Sequence, residues 1–194
     1  MYFSVNLDGA VVGITMGTHA LGLYQFATRV AELPVVTFTR AVAQVALPAL
    51  SGQHARAAAV SRTWKSMLRS VLAVNTAAAL LIVSFGDTAV SAVAGEQWLA
   101  AVPLMRVLAI AMLFRAVIVL TGQLLDAMGQ PALTMRLNAV RLVALTVLLP
   151  AFAAWFGLYG IAQAVLLANA VAVLYAMRLS ARVLDGLARS HPMA

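Results

Sequence analysis

Long apolar runs separated by short polar joints set the pattern of this chain. A helix needs about 20 mainly apolar residues to cross a hydrocarbon core of about 30 Å. The runs fall at about 1–16, 20–47, 67–85, 99–128, 133–156 and 160–177, and predict an all-α integral membrane protein built as a six-helix transmembrane bundle. The first run reaches only about 24 Å as a helix, so it is expected to be a truncated span whose beginning is missing. Gly17, Thr18 and His19 form the first joint. Within the second run Pro34 predicts a kink and Pro48 an end, because proline removes a ladder donor and crowds the preceding turn.

The joints carry their own predictions. Segment 51–66 holds Arg56, Arg62 and Lys65 among Ala, Val and Trp at helical spacing, which suits a basic helix lying at the membrane interface. The apolar piece between Gly86 and Gly95 is too brief to cross and reads as a surface or re-entrant helix. Gly129–Gln130–Pro131 is a tight turn, Pro150 stands near the far end of the fifth span, and Gly157 and Gly160 flank a short reversal.

Composition agrees with the pattern. Hydrophobic residues make up 63% of the chain and charged ones 10%, with a mean hydropathy of +0.96, leaving no room for a sizeable soluble domain. The net charge of +7 does not point to nucleic acid, since the basic residues sit at the ends of apolar runs and not on one face among aromatics. Arg56, Arg62, Lys65 and Arg69 follow the second span, Arg136 lies at the fourth-to-fifth turn, and Arg178, Arg182 and Arg189 follow the sixth. The alternate joints hold no Lys or Arg. The positive-inside rule therefore puts the basic joints and the C-terminus in the cytoplasm.

Several chemistries are disfavoured. Without cysteines, thiolate sites and disulfides are unavailable. His19, His54 and His191 are far apart, so no metal or cofactor is expected. No nucleophile and base pair or nucleotide loop points to an enzyme. The first arginine is Arg29, and Asp8 interrupts the first run, so no cleavable signal is expected.

Charges inside the spans are the candidates for function, because an ionised side chain at bilayer depth is costly and usually faces a protein interior or a water-filled path. On a helical wheel Arg29 and Arg40 fall nearly in line, with Gln25, Glu32 and Gln44 within about 60° of Arg29. The second span thus carries a predicted polar stripe, its two arginines about 16 Å apart along the axis. In the bland alternative Glu32 pairs with Arg29 and Arg40 snorkels to the headgroups. Arg115 lies mid-span with Gly122 and Asp126 on nearly the same face, while Arg106 points the opposite way as a snorkelling or loop contact. Asn138 and Arg141 share a face of the fifth span, where Arg141 is either a lumen residue or a charge anchor. Asp8 suits a proton or cation site or an ion pair, as does Glu32. Gly9, Gly13 and Gly17 read as a helix-packing face.

The same residues carry a resemblance. NLDGAVVGITMGTHALGLYQFATRVAELPVVTFTRAVAQVALPALS resembles the seventh and eighth transmembrane helices of bacterial polysaccharide or O-antigen flippases. GEQWLAAVPLMRVLAI, from Gly95 to Ile110, is similar to the start of their tenth helix, and MGQPALTMRLNAVRLV, from Met128 to Val143, to their tenth-to-eleventh turn. Essentially the whole chain is covered in order. The family belongs to the multidrug, oligosaccharidyl-lipid and polysaccharide exporter superfamily, whose members resemble one another as two six-helix lobes around a cavity.

The resemblance implies the C-terminal lobe of a flippase in the bacterial inner membrane, with an N-terminal six-helix lobe as partner. It implies alternating-access movement of undecaprenyl-pyrophosphate-linked oligosaccharide through a cationic cavity matched here by Arg29, Arg115 and Arg141, with Arg40 as a further member. The other readings are a drug or metabolite antiporter lobe, which would favour acidic residues, and a non-transporting membrane module or gene fragment that needs a partner lobe.

Overall fold

A computed structural model describes residues 7–51 and 57–190, and all regular structure among them is helical. Asn6, His54, Arg56 and His191, the start of the first predicted span and part of the predicted interfacial segment lie outside these residues. The elements are α1 (Leu7–Pro34), a π-helical turn (Val35–Thr39), α2 (Arg40–Ser51), α3 (Ala57–Val93), a 3-10 turn (Glu96–Ala101), α4 (Val102–Ala127) and α5 (Pro131–Ser190).

Two glycines divide the long helices. At Gly17 (φ 82, ψ 179) the backbone leaves helical geometry and splits α1 into two arms. At Gly157 (φ 57, ψ −140) α5 breaks in the same way. Positive φ strains any residue with a Cβ, so glycine marks both breaks. The arms of α5 then cross tightly, because a Cβ on Gly160 would stand 2.1 Å from the carbonyl oxygen of Phe152. In α1, Gly9 and Gly13 face Leu21 across the break. Gly17 does not extend that packing face as its spacing suggested; it belongs to the break.

Glycine and proline also set the α4–α5 joint. Gln130 N–H donates to Leu125 O at 2.9 Å and Gly129 N–H to Asp126 O at 3.0 Å, the paired bonds of a Schellman cap with glycine in the left-handed position. Pro131 then opens α5, where a missing N–H costs nothing.

Three stretches, Ala59–Val93, Glu96–Ala127 and Pro131–Leu184, are long and apolar enough to cross a membrane. Glycines, Thr18, His19, Tyr24 and Gln25 dilute the apolar residues of α1. In the most apolar window of each stretch, 61% of residues are buried for the one ending in α4, against 17% for α3 and 11% for α5. α4 is therefore the central post. Its apolar residues go all the way round, as befits a helix enclosed by others. Leu108, Leu120 and Leu124 fill its core contacts. Outward-facing Leu80, Leu81, Phe85, Val147 and Leu174 are exposed, which for a membrane protein is the surface lipid covers.

Two local expectations change. α3 continues unbroken from Ala57 through Gly86 to Val93, so the described part of the basic segment and the piece after Gly86 extend one helix instead of lying apart. Gly86 is buried, and a Cβ there would stand 3.2 Å from Val102 of α4. Pro48 does not end α2, which runs on to Ser51.

Candidate functional site

Pro34 shapes the first half of the site. Its missing N–H and bulky ring disturb the ladder of an α-helix, and the chain answers with one π turn, closed where the Arg40 N–H donates to Val35 O. Such a turn inserts about one residue and shifts all that follows by about 100°. The stripe expected along Arg29 and Arg40 is therefore interrupted. Arg29 lines a cavity of about 480 Å³ with Asp8, Tyr24, Gln25, Thr28 and Glu32. Arg40 is exposed and lines neither this cavity nor the one described next.

In the α1 cavity, buried Tyr24 donates its hydroxyl to Asp8 Oδ2 at 2.6 Å, joining the two arms of α1. Arg29 and Glu32 do not pair within salt-bridge distance. Gln25 and Arg29 are exposed, and Asp8 and Glu32 are half-buried. Two carboxylates against one guanidinium make this cavity formally acidic.

A second cavity, of about 300 Å³, lies between α4 and the start of α5. Arg115, Gln123, Asp126, Thr134, Asn138 and Arg141 supply its polar lining. Thr134 donates to Asp126 Oδ1 at 2.7 Å, so that carboxylate already has a hydroxyl to satisfy it. Asn138 is exposed and donates back to Thr134 O at 3.0 Å. Arg115 is half-buried and makes no hydrogen bond to a described residue. Two guanidiniums against one carboxylate make this cavity formally basic.

Arg141 is held by a residue the sequence did not single out. Its Nε donates to Asn169 Oδ1 at 2.9 Å, and Asn169, fully buried, donates in turn to Ala111 O of α4 at 3.1 Å. Anchoring through Nε leaves both terminal nitrogens of Arg141 with no described partner. The helix that carries the acidic cavity, α1, packs against both α4 and α5, which line the basic one. The signal for Asn169 was a single amide inside LLANAVAVL, which is costly in a membrane span unless bonded. Its partners, 28 and 58 residues away, could not be read from a wheel.

Other polar groups are spoken for. Arg106 forms an ion pair with Asp87, tying α4 to α3. Asn75, buried on α3, donates to Thr39 of the π turn at 2.9 Å and to Val71 O at 2.8 Å. Among the described residues no three His, Asp or Glu side chains gather as a metal site.

The family of polysaccharide biosynthesis proteins matches residues 1–103, more than half of the chain. The chain belongs to that family. A teichuronic acid biosynthesis protein of Bacillus subtilis is 31% identical over 125 residues, covering 64% of this chain and 26% of the relative. A probable low-salt glycan biosynthesis flippase of Haloferax volcanii is 28% identical over 191 residues, covering 94% of this chain and 39% of the relative. A membrane protein of the cps region in Klebsiella pneumoniae is 27% identical over 170 residues, covering 88% of this chain and 35% of the relative. This member of the family thus spans between about a quarter and two fifths of the length of those relatives. No solved structure matches it significantly.

Proposed function

We propose that this chain is one six-span lobe of a flippase that carries undecaprenyl-pyrophosphate-linked oligosaccharide across the bacterial inner membrane by alternating access. The reading rests above all on Arg115 and Arg141 sharing one cavity, with the terminal nitrogens of both unclaimed by described residues. Two like charges facing one space repel each other more strongly the less water screens them. A pyrophosphate between them removes that repulsion and offers oxygens matched to the guanidinium fork. Asp126 keeps the site from holding its anion too tightly for release. Asn138 adds an amide at the rim.

The acidic cavity supports a division of labour. Asp8 and Glu32, the two carboxylates of one cavity, would take the coupling proton or cation. Gln25 and Arg29 line the same wall, and Arg40 contacts headgroups or the end of the path. The partner is a second six-helix lobe, a reading supported by the share of the relatives' length that this chain spans. The two lobes rock about the shared cavity. The basic joints favour a cytoplasmic C-terminus.

Arg115→Ala and Arg141→Ala, each made in the complete two-lobe protein, test the reading by export of lipid-linked glycan at equal membrane abundance. Loss of one charge-assisted contact predicts roughly a ten-fold fall or more for each. Unchanged export in both variants would sink the proposal. The two carboxylates of the α1 cavity favour a second reading, an antiporter of cationic drugs or metabolites. That reading requires Asp8→Asn to abolish cation efflux and Arg115→Ala to leave it intact.

A further inference from the structure

The geometry points to a binding site for an anionic glycerophospholipid in the crevice between α2 and α3, separate from both cavities above. Arg62, Lys65, Ser66 and Arg69 fall within an arc of about 100° on the first turns of α3 and rise about 10 Å along its axis. Arg62, Lys65, Ser66 and Arg69 are all exposed. Beyond Arg69 the helix carries no charge until Asp87, so the basic stripe stands where the hydrocarbon core gives way to headgroups.

The crevice below the stripe has the shape of the rest of a lipid. An opening of about 500 Å³ is lined by Ala59, Arg62, Thr63, Ser66 and Met67. An apolar groove of about 470 Å³ is lined by Phe38, Ala41, Val42 and Val45 of the π turn and α2, facing Met67 of α3. Ser66 and Met67 line both spaces, so the opening and the groove are neighbours. A phosphate at the stripe meets basic and hydroxyl donors, while the acyl chain attached to it lies on Phe38, Ala41 and Val45.

Charge decides the class of occupant. Basic residues at a membrane surface attract anionic headgroups, each adding a favourable increment, and a zwitterionic lipid gains little from them. Leu68, on the same turns, packs against the apolar cluster that includes Leu179 and Val183, next in sequence to which Arg178 and Arg182 are also exposed. Both stretches are basic, and the crevice adds a groove to the first.

Native mass spectrometry of the full chain in mixed micelles tests the site, with phosphatidylglycerol, phosphatidylcholine and undecaprenyl phosphate supplied at equal mole fraction. Phosphatidylglycerol is expected as the main retained lipid. Lys65→Gln/Arg69→Gln should lower its retention roughly ten-fold. Ala41→Trp, which changes no charge and fills the groove from an exposed position, should lower retention by a similar factor. Matched helical circular dichroism and gel-filtration profiles show that both variants fold, and either one alone suffices for the comparison. Equal retention of phosphatidylcholine, preference for undecaprenyl phosphate, or phosphatidylglycerol retention unchanged in a folded variant would each overturn the assignment.

Discussion

Asn169 ties more of the fold together than its size suggests. Its amide takes Nε of Arg141 and gives to Ala111 O, linking three stretches of chain through one buried side chain. Asn169→Ala leaves the Arg141 Nε without its acceptor and the fork without its aim. A lost buried bond to a charged group costs about 1–3 kcal/mol in general, and interhelical bonds in membranes fall near or below the low end of that range. The expected outcome is a small drop in melting temperature for the full chain in detergent, with glycan export in the complete protein reduced as far as by Arg141→Ala. Export at the wild-type level would show that Arg141 needs no such positioning. The arginine was legible because charge in a span is rare. The asparagine was not, because its value depends on partners far away in sequence.

At the scale of elements, the π turn after Pro34 sets which face of α2 looks inward. Pro34→Ala restores the missing donor and favours a regular helix. That change rotates α2 relative to α1 and carries position 40 toward the face of Arg29. The chain has no cysteines, so Arg29→Cys and Arg40→Cys can be spin-labelled as a clean pair. The distance between the two labels is expected to shorten when Pro34→Ala is added, and an unchanged distance would refute the phase shift. Gly160 gives a second test. With 2.1 Å between a Cβ and Phe152 O, and backbone as the obstacle, Gly160→Val must displace one arm of α5. Fluorescence-detected gel filtration should show most of the variant aggregated, whereas Gly22→Ala, where a Cβ would meet nothing within 4 Å, should run as wild type.

For the whole molecule, α4 is the post, with one cavity between it and α5 and the other on α1. The proposed orientation rests on where the basic residues gather, and it is open to direct measurement. Single cysteines at Lys65 and Arg182 are expected to react with an impermeant maleimide only from the cytoplasmic side, and one at Glu96 only from the opposite side. Lys65, Arg182 and Glu96 are exposed positions, so the reagent reaches them without unfolding. Labelling of all three from one side would contradict the proposed arrangement of spans.

The membrane class, the helical pattern and the shared face of Asn138 and Arg141 on one helix were properties of the sequence, since hydropathy and the 3.6-residue period act locally. The breaks at Gly17 and Gly157 were legible for the same reason, as backbone geometry that glycine alone adopts freely. Tertiary structure decided which polar residues meet. It joined Arg115 with Arg141, gave Arg141 its Asn169, paired Asp8 with Tyr24 and removed Arg40 from the stripe. A wheel drawn on an ideal helix holds only until the ladder changes register, and a contact between helices is set by packing that no single helix contains.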